Sequence, residues 1–163
     1  MKIMVFLHGT VLMHRGALGC TREERVRQAL VGEESLHDFV SYVPVGGAMR
    51  KLRAWERQGA EILYLSSHKG AADVELDRFV LRKYAFPDGP VLFRQWGESY
   101  GQVAERALPD LLIEDDCESL GGEREMTYPG IRPEFQARIK SIVVQEFGGL
   151  DGLPDDLSAL LKA

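Results

Sequence analysis

Three polar tips in this chain carry side chains able to do chemistry, and each closes an apolar run. Ile3-Met4-Val5-Phe6-Leu7 leads into His8-Gly9-Thr10. Ile62-Leu63-Tyr64-Leu65 leads into Ser66-Ser67-His68, and Leu111-Leu112-Ile113 into Glu114-Asp115-Asp116. His8 has an unperturbed pKa near neutrality, so it suits acid/base work or nitrogen ligation of a metal. Adjacent carboxylates at the end of a buried strand repel one another, a cost usually offset by a cation or a set of donors. Plainer roles stand beside these. His-Gly-Thr can be a strand-to-loop turn with Gly9 as the permissive position, Ser66-Ser67 can cap a loop, and the acidic run can be a solvated loop.

The elements that must hold these tips follow from periodicity. Short apolar runs over 2–7, 61–65, 91–93, 111–113 and 141–144 read as buried strands, separated by segments of helical spacing. Thr21-Arg22-Glu23-Glu24 has the form of a capping box and opens a helix with Val26, Ala29 and Leu30 on one stripe. Leu36, Phe39, Val40 and Val43 suggest a second short helix or turn. Val45, Met49, Leu52 and Trp55 mark a helix stopped by Gly59, and Leu76, Phe79, Val80 and Tyr84 mark the next. Tyr100, Val103, Ala104, Ala107 and Leu108 form a further stripe ended by Pro109, and residues 153–161 predict a terminal helix. Strands alternating with helices predict an α/β fold, a doubly wound parallel sheet of about five strands with right-handed crossovers. Residues 11–44 are a small insertion after the first strand. In such a sheet, ligands sit outside the carboxyl ends of the strands, where the three tips fall.

The order of these tips resembles the four-motif layout of the haloacid dehalogenase-like (HAD) hydrolases, over Lys2 to about Val144. The resemblance implies a Rossmann-type HAD fold across 1–163 with the 11–44 insertion as a small helical cap. It implies that Ser66, with Ser67, holds a phosphoryl group, and that Arg94, after Val91-Leu92-Phe93, neutralises phosphate charge where lysine is commoner. An arginine fork suits phosphate well. It implies further that Gly9 and Thr10 belong to the phosphate-binding loop. Asp115, with Asp116 and Glu114 as neighbours, becomes the magnesium-binding carboxylate.

The first motif departs from the pattern. The family has DxDGT there, and the two aspartates fall at Phe6 and His8. Phe6 removes the nucleophile and one anionic metal ligand, which weakens a magnesium site without abolishing it, since waters can substitute. Manganese or zinc becomes an alternative if His8 is a ligand. Two functional expectations result. One is a catalytically impaired, phosphatase-like binder of a phosphorylated small molecule or nucleotide. The other is an active metal-dependent phosphohydrolase in which His8 and Asp115 are catalytic and a metal-bound water attacks.

Composition sets the bounds. The chain has 163 residues, enough for one domain with a full core. A net charge of −5 and a pI near 5.4, with no basic tract, argue against nucleic acid and anionic membrane as partners. The apolar N-terminus reads as a strand rather than a leader. Two cysteines make no disulfide framework, so a cytoplasmic setting is expected. An oligomer of identical chains is compatible with all of this. Cys117 beside the acidic run should have a raised pKa and little nucleophilicity. His14 and His37 are expected at the surface or in the cap, His68 either lining the site or on an exposed loop, Trp55 as a core anchor and Trp96 as a loop or packing aromatic. The long connection 117–133 lies close to the tips, where long loops are often functional.

Overall fold

A computed structural model describes residues 1–162. The chain begins with β1 (Lys2–Phe6), then enters the insertion through β2 (Leu12–Met13). The insertion holds α1 (Arg22–Val31) and returns through β3 (Val43–Pro44). There follow α2 (Ala48–Arg57), β4 (Glu61–Leu65), α3 (Ala71–Lys83), β5 (Val91–Leu92), α4 (Tyr100–Ala107), β6 (Leu111–Asp115), α5 (Pro133–Gln136), β7 (Lys140–Val144) and α6 (Leu157–Leu160). The main sheet has the order β5-β4-β1-β6-β7, with all its pairs parallel.

Side-chain alternation along the strands builds two cores, one on each face. Ile3, Val5, Leu7, Ile62, Tyr64, Leu111 and Ile113 pack with Leu52 and Trp55 of α2 and Val74 and Val80 of α3. Met4, Phe6, Leu63, Leu65 and Leu112 pack with Val103 and Ala104 of α4 and with Ile139. Trp55 is the expected anchor: it is fully buried and its indole N–H donates to the Pro154 carbonyl at 3.0 Å. Trp96 stands fully in solvent. The strand order reverses at β1, which has β4 and β5 on one side and β6 and β7 on the other. The crevice this leaves at the carboxyl ends is where α/β folds place ligands.

The insertion is rooted by a two-stranded antiparallel ribbon pairing Leu12 with Pro44 and Met13 with Val43. Its α1 carries the expected capping box, with the Thr21 hydroxyl accepting from the Glu24 amide and the Glu24 carboxylate accepting from the Thr21 amide. The stretch around Leu36–Val43 forms two short 3₁₀ turns, Glu34–His37 and Phe39–Ser41, within the expected short helix or turn. Two expectations are corrected. Leu30 and Phe79 are exposed, and the buried face of α3 is instead Val74, Asp77, Val80 and Leu81. The terminal helix spans Leu157–Leu160 alone, because Asp156 caps it there by accepting from the amides of Ser158 and Ala159.

The 117–133 connection is irregular apart from 3₁₀ turns at Gly122–Glu125 and Tyr128–Gly130. One side chain pins it. Glu114 is buried, and its carboxylate accepts the Thr127 amide at 2.6 Å and the Tyr128 amide at 2.8 Å. Charge-assisted bonds of this kind are each worth about 1.5–3 kcal/mol. Glu114→Ala should therefore cost about 3 kcal/mol in urea unfolding and open the 117–133 loop to proteolysis; a loss below about 1 kcal/mol would show that the anchor is idle.

Candidate functional site

The tip of β1 turns sharply at Gly9, whose φ is +88°. A Cβ there would lie 2.9 Å from the Asp115 Oδ2, so glycine is required on both counts. This close approach brings the β1 tip against the β6 tip. The Thr10 hydroxyl, fully buried, donates to Asp115 Oδ2 at 2.7 Å, and the Cys117 amide donates to Oδ1 at 3.0 Å. Burial still pushes the Asp115 carboxyl upward, against the pull of these two donors.

The acidic run does not act as one cluster. Strand alternation sends Glu114 to the opposite face, into the 117–133 loop, and this corrects its expected place among the metal ligands. Asp116 accepts the Glu146 amide at 3.1 Å. Asp115 is left alone against β1, already holding two donors, and faces no carboxylate from position 6. Such a donor set would hold magnesium only weakly, with waters filling most of the octahedral shell. Burial is the main reason that the Cys117 thiol is pushed far up, with Asp115 adding to it. That agrees in direction with the expectation, though neighbouring charge is the lesser cause.

The second tip turns inward. The buried Ser66 hydroxyl donates at 2.5 Å to Asp77 of α3, a residue that the sequence reading passed over. Asp77 is 3% exposed. His8 Nε2 meets its Oδ1 at 3.0 Å, and His68 Nδ1 meets its Oδ2 at 3.1 Å. The other ring nitrogen of His8, Nδ1, lies 2.7 Å from the Ser67 Oγ. His8 and His68 face each other with ring centroids 4.5 Å apart. Phe39 of the insertion packs on His68 at 4.2 Å, and Tyr42 stands edge-on to His8. Burial alone would raise the Asp77 carboxyl, but hydrogen bonds from His68, His8 and Ser66 hold it far below the carboxylate range. His68 is the counterpart: burial lowers it, and the bond and charge of Asp77 raise it above its ordinary value.

Phe6 and His8 part company at the end of β1. Phe6 is 9% exposed and meets the Tyr100 ring edge-on at 5.1 Å on the α4 side, whereas His8 leans toward α3. Arg94 lies on the Phe6 side: its guanidinium stacks over Tyr100 at 3.9 Å and its Nη2 reaches the Ser67 carbonyl at 3.4 Å. Its Nε is buried without a partner. Lys69 and the exposed Trp96 line the same depression as Arg94.

On the other side of His8 is a cleft of about 170 Å³. Gly9, Leu12, His14, Tyr42, Ser119 and Phe147 help to line it. His14, in the insertion, is fully buried; its Nε2 bonds Gln28 at 2.9 Å and its Nδ1 has no partner. Of the sequence-predicted residues, the fold thus brings Thr10 to Asp115 and His8 to Ser67, with Gly9 between the two pairs. It keeps Glu114 apart. Asp77, Phe39 and Tyr42 are additions from α3 and the insertion.

No protein-family model matches the chain, and no curated protein sequence matches it. Among solved structures, a class C acid phosphatase from Bacillus anthracis, crystallised with tungstate bound, is similar. It has a TM-score of 0.55 at 16% identity, and the match covers 91% of this chain and 68% of the phosphatase. The chain therefore has a HAD-like α/β fold built on a five-stranded parallel sheet, the fold it shares with that phosphatase. Among the described residues, no helix is long and apolar enough to cross a membrane.

The linkage of Asp77 and His68 gives a pH signature. The folded pKa of Asp77 is depressed, so its stabilisation is complete above the unfolded value near 4 and is lost as pH falls toward the folded one. The folded pKa of His68 is raised, so its stabilisation is complete below about 6.5 and is lost as pH rises through the folded value. The stability difference between wild type and Asp77→Asn, in chelator-treated protein, should peak near pH 5.5 at about 3 kcal/mol. It should shrink at pH 3 and at pH 9. Urea unfolding at the three pH values checks this, and a flat difference would mean that the network is not ionic.

Proposed function

We propose that this chain is a HAD-fold protein that binds a small phosphorylated molecule or a nucleotide, without the aspartyl-phosphate chemistry of the family it resembles. One observation carries the reading. Phe6 stands where a nucleophilic carboxylate would be, and its ring is fixed between the second core and Tyr100. A benzyl group has no lone pair with which to form a phosphoenzyme.

The anion-binding side is better equipped. Arg94 brings a planar fork pre-oriented by stacking on Tyr100, with one buried N–H still unsatisfied, and Ser67 and Lys69 lie beside it. Gly9, Thr10 and Ser66 contribute as framework: their close contacts with Asp115 and Asp77 fix the tips that a phosphate would approach. Trp96 at the edge of the depression offers a stacking surface of the sort that a nucleobase uses. Magnesium at Asp115 and Asp116 would be weak and serve binding rather than turnover.

The rival reading, a hydrolase using His8 with a metal-bound water, has its own observation: His8 is oriented by Asp77 on one ring nitrogen and by Ser67 on the other. Melting shifts with orthophosphate, sugar phosphates and nucleoside monophosphates should appear in wild type. Arg94→Met should weaken them about 10–100-fold, the worth of a charge-assisted contact. Phosphatase assays with magnesium should give no acid-stable phosphoprotein by mass spectrometry. Turnover that is lost in both His8→Ala and Asp115→Asn would replace the binder by the rival.

A further inference from the structure

Among the described residues, three metal-ligating side chains have donor atoms that all lie within 4.8 Å of one another: His8, His68 and Asp77. They come from three separate elements, namely the β1 tip, the loop after β4, and α3. We infer that they form a site for a borderline divalent transition ion, zinc foremost, distinct from the acidic tip of β6.

Geometry is the first support. Donors around a tetrahedral zinc, at bond lengths of about 2.0–2.1 Å, lie about 3.3 Å apart. The separations here are 3.0 Å from His8 Nε2 and 3.1 Å from His68 Nδ1 to the two oxygens of Asp77. The remaining donor pairs lie within 4.8 Å, so an ion draws the two rings together around it and takes the place of the protons shared with the carboxylate.

The surrounding shell is the second. A histidine that holds a metal usually gives its other ring N–H to an oxygen, which fixes its orientation. His8 Nδ1 has the Ser67 Oγ at 2.7 Å in that position. The Asp77 carboxylate is steadied by the Ser66 hydroxyl at 2.5 Å, and Ser66 Oγ in turn accepts the His68 amide at 3.0 Å. Phe39 and Tyr42 wall the rings from the insertion side.

The donor set is the third. Two imidazoles and one carboxylate suit zinc, cobalt or iron, and are a poor match for magnesium, which prefers oxygen. Three protein ligands leave a fourth position free. That position is open to a water or another oxygen ligand. The inference is independent of any phosphorylated ligand: metal binding is read without one, and it can fail or hold whatever Arg94 does.

The test uses the full chain, stripped with a chelator and titrated with Zn²⁺ and with Co²⁺. One ion should bind per chain, with a raised melting temperature and, for Co²⁺, visible d–d absorption of a four- or five-coordinate site. His8→Ala and His68→Ala should each weaken Zn²⁺ binding by more than about 100-fold, and Ser67→Ala, a positioning change, by about 10-fold. Asp116→Asn and His37→Ala should leave it unchanged. X-ray absorption of zinc-loaded wild type, which needs no variant to fold, should report two imidazole nitrogens. The inference is overturned if wild type takes up neither ion, if the absorption shows an oxygen-only shell, or if binding survives the histidine changes and is lost in Asp116→Asn.

Discussion

One buried carboxylate organises the strand tips. Asp77 accepts from Ser66, meets both His8 and His68, and so ties the end of β1, the loop after β4 and the middle of α3 into one unit. An isolated carboxylate this deep in the protein would cost several kcal/mol. Here the donors offset that cost, and in return the two imidazoles lose their freedom to rotate. The direction of the His8 ring, the turn of Ser66 away from the crevice and the position of Ser67 all follow from this group. A second, similar arrangement stands across the reversal point of the sheet, where Thr10 and the Cys117 amide satisfy Asp115. The crevice is thereby divided into a histidine half and a carboxylate half.

The two halves of the crevice differ in what surrounds them. At position 6, phenylalanine extends the α4-side core with Met4 and Leu112, and Tyr100 and Arg94 continue the stack outward. The titratable groups of the β1 tip are gathered instead at His8, which leans toward α3 and Asp77.

Much of the fold was legible in the sequence because it rests on periodicity. Strands buried on both faces read as continuous apolar runs, and the Thr21 and Glu24 box marks the start of α1 unambiguously. The elements that escaped were those in which local pattern and tertiary burial disagree. Phe79 looks like core by type, yet it faces solvent, while Asp77 looks like surface and is buried. The stripe of α3 was therefore misaligned by type, and with it the most connected side chain of the site was missed. A signal existed: an aspartate on the inner face of a helix two turns beyond Ser66-Ser67-His68 is expensive unless those residues reach it. Glu114, by contrast, was misplaced for want of strand parity. Adjacent residues on a strand point to opposite faces, so Glu114 and Asp115 could not both turn to the β1 tip. His14 fell in the insertion as expected, but its full burial depends on docking that no single-chain period reveals.

The ribbon of Leu12–Met13 with Val43–Pro44 bears on how the insertion is held over the strand tips. Both ends of the insertion leave the sheet through one zipped neck, and at its far side Arg25 bonds the Phe147 carbonyl at 2.9 Å. A segment fastened at root and flank cannot swing like a hinged flap. Phe39 and Tyr42 thus stand as a palisade over the imidazoles, held in place by the anchoring of the segment that carries them.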